Sequence, residues 1–97
     1  MSDKSNTVVD SMEETRERHK RYLRAINSPV RRGILRAMLD GNDNVLSLSE
    51  VTGIDMKTIS WHLNILVDGF CVEIAGEGSS KKYNLTKEAK VVDFLDK

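Results

Sequence analysis

Ninety-seven residues suffice for one small domain, residues 1–97, which buries only about two thirds of its unfolded surface and so gains from a partner subunit. Fifteen Lys and Arg balance fifteen Asp and Glu and the isoelectric point is about 6.7, so overall charge does not announce a nucleic-acid binder. One cysteine excludes an internal disulfide. The polar start Met1-Ser2-Asp3-Lys4-Ser5-Asn6 lacks the apolar stretch of a signal peptide, and no run approaches membrane-spanning length; a cytoplasmic protein without membrane contact is expected.

Residues 1–7 are expected to be disordered. From there Val8, Met12, Thr15, His19, Tyr22 and Ile26 recur at alternating steps of four and three, the spacing of a heptad seam, and predict a helix over 8–26. Thr15 and His19 weaken its middle. Ser28 as cap and Pro29 in the first turn open a second helix, 29–40, with Val30, Ile34, Ala37 and Met38 on its core face and Gly33 placed for close packing. Charge is unevenly spread. Residues 16–36 hold eight Lys or Arg against the single Glu17, a balance of +7, whereas residues 40–75 hold one lysine against six acids, a balance of −5. The alternative for the basic run is a solvated helix face.

A short helix over 47–53 follows, with Leu48, Val51 and Ile54 at three-residue spacing, a cap from Ser47 or Ser49, and Gly53 free to reverse the chain. Asp55 can cap the next helix, 56–68, in which Ile59, Leu63, Leu66 and Val67 form a buried stripe. Lys57, Ser60, Trp61, Asn64 and Asp68 lie along its opposite face, and Gly69 stops it. Two short amphipathic helices hinged at Gly53-Ile54-Asp55 are the pattern of a helix-turn-helix. Phe70, Val72 and Ile74 then alternate with Cys71, Glu73 and Ala75 as a half-buried strand, 70–75. A flexible Gly76-Glu77-Gly78-Ser79-Ser80 turn leads to a second strand, 81–85, and Thr86 caps a last helix, 87–95, striped by Ala89, Val92 and Leu95. A hairpin with a mobile tip and two lysines directly after the second helix of the pair is a wing. The fold class is α+β and mostly helical: a winged helix-turn-helix with a two-stranded β-hairpin wing and flanking N- and C-terminal helices.

At this point the chain resembles the winged helix-turn-helix transcriptional regulators, most closely the ArsR-like group. The resemblance is carried by Asn27-Ser28-Pro29-Val30-Arg31-Arg32-Gly33-Ile34-Leu35, by Met56-Lys57-Thr58-Ile59-Ser60-Trp61-His62-Leu63-Asn64-Ile65-Leu66, and by Asp68-Gly69-Phe70-Cys71-Val72-Glu73-Ile74. It implies a recognition helix reading double-stranded DNA through Met56, Lys57, Thr58, Ser60, Trp61, His62 and Asn64, and a wing adding Ser79, Ser80, Lys81 and Lys82. Trp61 stands where the resembling proteins often carry arginine. Its indole offers one donor and an apolar face suited to a thymine methyl group or a sugar; a partly buried place in protein contacts is its alternative.

Many ArsR-like proteins sense metals, yet the group's paired thiolates would fall where this chain has Ser47-Leu48-Ser49-Glu50-Val51, and Thr86 to Lys97 contains no histidine. No metal and no cofactor are expected. Cys71 then reads as a half-buried strand residue, and His62 as a phosphate contact or a cap on the apolar stripe. No nucleophile with base and acid, phosphate loop or paired carboxylate is evident, so an enzyme is not expected. The expected function is a sequence-specific DNA-binding transcriptional regulator, a dimeric repressor. Its alternative is a winged-helix protein-interaction module that uses the acidic region and Trp61. The expected homodimer is built from helices 8–26 and 87–97 through Met12, His19, Tyr22, Ile26, Val92 and Leu95, and paired His19 imidazoles would weaken it below about pH 6.

Overall fold

The three helices that follow the first each begin at a side chain that accepts a free amide of the opening turn. The computed structural model describes the backbone of residues 2–78 and 81–91 and the side chains of residues 12–78 and 81–90. Helix α1 runs Ser2–Ile26, so its backbone starts ahead of the expected Val8 and within the stretch expected to be disordered. Helix α2, Pro29–Leu39, is capped by Ser28, whose Oγ accepts from the Arg31 amide at 3.2 Å, with Pro29 spending no donor in the first turn. Helix α3, Val45–Thr52, starts earlier than the expected 47, because Asn44 and not a serine is the cap: its Oδ1 accepts from the Ser47 amide at 2.8 Å. Gly53 closes α3 at φ 76°, as the turn requires. Helix α4, Met56–Asp68, opens on Asp55, which accepts from the Thr58 amide at 3.1 Å and from its hydroxyl at 2.6 Å.

Helix α4 ends at Asp68 with Gly69 as its cap, as expected, but Gly69 has φ −92° and the residue in the left-handed region is Phe70, at φ 63°. The Cys71 amide bonds back to Leu66 O at 2.9 Å and the Phe70 amide to Val67 O at 3.1 Å, the two bonds of a Schellman stop. Glycine is needed at 69 for another reason: a Cβ there would lie 2.4 Å from Ala25 Cβ and 2.8 Å from Arg21 O on α1. Gly33, by contrast, has nothing within 4 Å of the corresponding position, so it does not serve close packing.

The left-handed Phe70 cannot begin a strand. Strand β1 is therefore Val72–Ala75, shorter than the expected 70–75, and pairs antiparallel with β2, Lys82–Leu85, from Val72↔Leu85 to Ala75↔Lys82. Burial does not alternate as expected either. Cys71 and Val72 are both buried and Ile74 is exposed. The Tyr83 amide donates to Asp43 O at 2.8 Å, which fastens the hairpin to the loop before α3. A 3₁₀ turn, Glu88–Val91, takes the start of the expected last helix, and Val92 and Leu95 lie outside the described residues.

The core gathers Ala25 and Ile26 of α1, Ile34, Leu35 and Met38 of α2, Leu48 of α3, Ile59, Leu63 and Leu66 of α4, and Val72, Tyr83 and Ala89. Val30 and Val51, expected on core faces, are exposed. The Cα radius of gyration is 15.8 Å, above the ~13 Å of a compact chain of about 100 residues. Helix α1 explains the excess, since Met12 to Lys20 are all exposed.

Candidate nucleic-acid interface

Helix α4 buries Ile59, Leu63 and Leu66 against the rest of the domain, which leaves Met56, Lys57, Trp61 and Asn64 exposed and Ser60 half-buried along one outer strip. Trp61 is 57 % exposed, so its indole is presented to solvent rather than to the core. Thr58 is half-buried and its hydroxyl is committed to Asp55, whose carboxyl those hydrogen bonds hold below the usual range. Asp68, at the far end of the same side, pairs with Arg21 of α1 at 3.8 Å.

His62 does not share this face. It is 8 % exposed, and its Nδ1 lies 3.3 Å from Arg31 Nη1 on α2. The reason is spacing: His62 follows Ile59 by three and precedes Leu66 by four, which puts it on the apolar stripe. That signal was in the sequence. Burial, then the charge of Arg31, lowers the imidazole's proton affinity below that of a free histidine.

The basic run is partly spent inside the molecule. Arg31 donates from Nε to Ala25 O at 3.0 Å and from Nη2 to Arg24 O at 2.8 Å. Arg18 pairs with Glu88 at 3.6 Å and lies 3.8 Å from the centroid of the Phe70 ring, and Arg21 reaches Glu17 at 3.5 Å as well as Asp68. In the hairpin, Lys82 pairs with Asp43 at 3.6 Å and Lys81 Nζ sits 5.5 Å from the Tyr83 ring; Ser79 and Ser80 lie outside the described residues. The pairs at Arg18, Arg21 and Lys82 are solvent-exposed, weak and easily exchanged for phosphate. Arg31 is not so available.

Of the expected subunit seam, Met12 and His19 are exposed, but Tyr22 is half-buried with its hydroxyl donating to Glu88 O at 3.1 Å, and Ile26 is 3 % exposed within its own core. Ile26 is thus excluded from a seam. Leu23, which the heptad reading passed over, is 38 % exposed; it lies four residues after His19 and completes a strip with Met12. Cys71 is buried and its thiol is pushed up to about 11 by burial, with Glu88 adding to the effect, which keeps it protonated. Among the described residues no three His, Cys, Asp or Glu side chains gather as metal ligands, and no helix is long and apolar enough to cross a membrane.

Residues 28–68 match the model of the bacterial regulatory proteins of the ArsR family. In structure the chain is similar to the homodimeric winged helix-turn-helix DNA-binding domain of a possible ArsR-family transcriptional regulator from Mycobacterium bovis, solved by solution NMR. The TM-score is 0.75 at 23 % identity, over 87 % of this chain and 80 % of that one. A crystal structure of a fragment of a possible transcriptional regulatory protein from Mycobacterium bovis gives 0.70 at 24 % identity, over 82 % and 88 %. The transcriptional repressor BigR from Xylella fastidiosa gives 0.67 at 27 % identity, over 89 % and 90 %. No relative is found among curated protein sequences. Fold and family match are those of transcriptional regulators and not of enzymes.

Proposed function

We propose that this ArsR-like winged helix-turn-helix protein is a sequence-specific transcriptional regulator, acting in the cytoplasm as a homodimeric repressor that occludes its DNA site. The observation that carries the reading is the outer strip of α4: Lys57, Ser60, Trp61 and Asn64 project from a helix that is fixed to the core along its other side and flanked by the hairpin. A helix so mounted fits the major groove, where side chains meet base edges directly. Met56 and Thr58 support the strip at its start, the first as an exposed apolar contact and the second by fixing the Asp55 cap. His62 acts behind the strip and not on DNA. Lys81 and Lys82, with Ser79 and Ser80 of the hairpin tip, are assigned to phosphates beside the groove.

The dimer is proposed through α1 and the C-terminal segment. The exposed Met12, His19 and Leu23 supply the α1 strip, Tyr22 borders it, and Val92 and Leu95 are the C-terminal candidates. The homodimeric state of the Mycobacterium bovis domain and the repressor function of BigR, at 27 % identity, support this assignment. A second reading, a protein-interaction module, draws on the exposure of Trp61 together with Leu46 and Val51 of α3. Mobility shifts with genomic fragments at two salt concentrations separate the two. Sequence-selective retention is expected; no shift at low salt would favour the interaction module.

A further inference from the structure

Helix α1 ends with carbonyls that its own backbone cannot satisfy. Leu23 O accepts from the Asn27 amide at 2.9 Å, and the next two, Arg24 O and Ala25 O, are taken by the Arg31 guanidinium. The same guanidinium reaches His62 Nδ1 at 3.3 Å. Arginine has no acceptor, so Nδ1 must present a lone pair and the imidazole proton resides on Nε2. The His62 ring also meets the Trp61 indole edge to face, centroids 4.9 Å apart and planes at 65°. One chain of contacts thus runs from the end of α1, through Arg31 of α2, to the aromatic residue on the outer strip of α4.

We infer that Arg31 and His62 are positioning residues for Trp61: a neutral His62, held by Arg31, sets the angle of the indole, and protonating His62 releases it. A proton on Nδ1 would set two donors and two cations against each other across 3.3 Å. Arg31 is anchored by two carbonyls, so the imidazole is the partner that moves, and Trp61 moves with it. The charged groups around His62 are cations. Arg31 acts on it from α2, and Arg24 of α1 acts in turn on Arg31. Helices α1 and α3 and strand β1 also pack on α4, and among the described residues none sets a carboxylate against the imidazole that would stabilise its charged form. The consequence for DNA, weaker or less selective reading in acid, rests on the regulator reading above; the coupling itself does not.

Trp61 is the chain's only tryptophan, so its fluorescence reports the coupling in the protein without DNA. The experiment is a fluorescence titration from pH 8 to pH 5 of the wild type, His62→Asn, Arg31→Gln and His19→Gln, with thermal melts to establish folding. The wild type is expected to show a step with its midpoint below the ~6.5 of a free histidine. His62→Asn, whose amide oxygen can still accept from Arg31, should be flat. Arg31→Gln should move the midpoint upward, a change that a merely structural role would not produce, and His19→Gln should leave it in place. One-dimensional NMR of the His62 ring protons gives the midpoint independently should a variant fold poorly. A step that persists in His62→Asn, or a His62 midpoint indifferent to Arg31→Gln, would overturn the inference. In parallel, DNA affinity of the wild type should fall severalfold from pH 7.5 to pH 5.5 as His62 takes up its proton, and that of His62→Asn should not. A fluorescence step lost in His62→Asn, without DNA binding at any pH, supports the coupling and overturns the regulator reading.

Discussion

Trp61 is exposed by more than half on a strip whose other members, Met56 apart, are polar, and its indole offers that strip a broad apolar face with one donor. Its replacement by alanine is expected to cost about 1–3 kcal/mol of DNA affinity or to shift sequence preference, read by competition with variant sites. Unchanged affinity and preference would remove Trp61 from the interface. His62, its neighbour, gives a stability prediction of opposite sign to the usual salt-bridged histidine. Its proton affinity is lowered in the folded state, so the unfolded chain takes up the proton first as pH falls. The contribution of neutral His62 is therefore complete above about pH 6.5 and is lost as pH drops from there through the lower folded value. Melting temperatures between about pH 7 and about pH 5 should decline more steeply for the wild type than for His62→Asn.

At the scale of elements, the two glycines near helix interfaces behave in opposite ways. Gly69 is pressed against α1, with Ala25 Cβ and Arg21 O closer to its absent Cβ than any real contact allows, so Gly69→Ala should destabilise by roughly 1–3 kcal/mol. Gly33 sits within α2 with open space around it, so Gly33→Ala should stabilise by about 0.5–1 kcal/mol through helix propensity and the unfolded chain. Urea denaturation of both variants checks the pair. A neutral Gly69→Ala would mean that α1 can shift away from α4. The hairpin is the other element with a numerical consequence. Changing Lys81 and Lys82 to glutamine should weaken all DNA sequences alike and lower the salt slope by about 1–2 units. Because Asp43 competes for Lys82, Asp43→Asn should strengthen binding to all sequences. An identical slope in the lysine variant would place the hairpin outside the interface.

On the scale of the whole molecule, α1 is the part that does not fit a free-standing domain. It extends beyond the core, and Met12 and Leu23 stay exposed on a strip that includes His19. A second copy would cover that strip. A two-fold pair would set its α4 helices one turn of DNA apart, roughly 34 Å, on an inverted repeat. Sedimentation is expected to show a dimer at tens of micromolar and neutral pH, and Leu23→Glu should give a monomer with its helical content intact. A wild-type monomer under those conditions would sink the dimer. Should dimer dissociation at pH 5.5 ignore His19→Gln, only the acid response assigned to His19 would go.

The local signals in the chain were strong enough to place nearly every element. Ser28-Pro29, Gly53 and Asp55 are short-range devices, whose capping and reversal depend on residues within one turn, so the starts of α2 and α4 and the hinge between α3 and α4 were legible without any tertiary contact. The apolar period of α4 likewise determined which side faces out, and with it Lys57, Ser60, Trp61 and Asn64. Only the packed structure decided what depends on distant partners. Gly69 is glycine because α1 passes against it, and the left-handed residue after α4 is Phe70, which shortens β1. Arg31 looked like one more cation in a basic run, but the end of α1 and His62 converge on its guanidinium from elsewhere in the chain. Ile26 kept its heptad spacing and still turned inward, because a helix can offer one apolar stripe both to its own core and to a partner, and periodicity alone does not divide it.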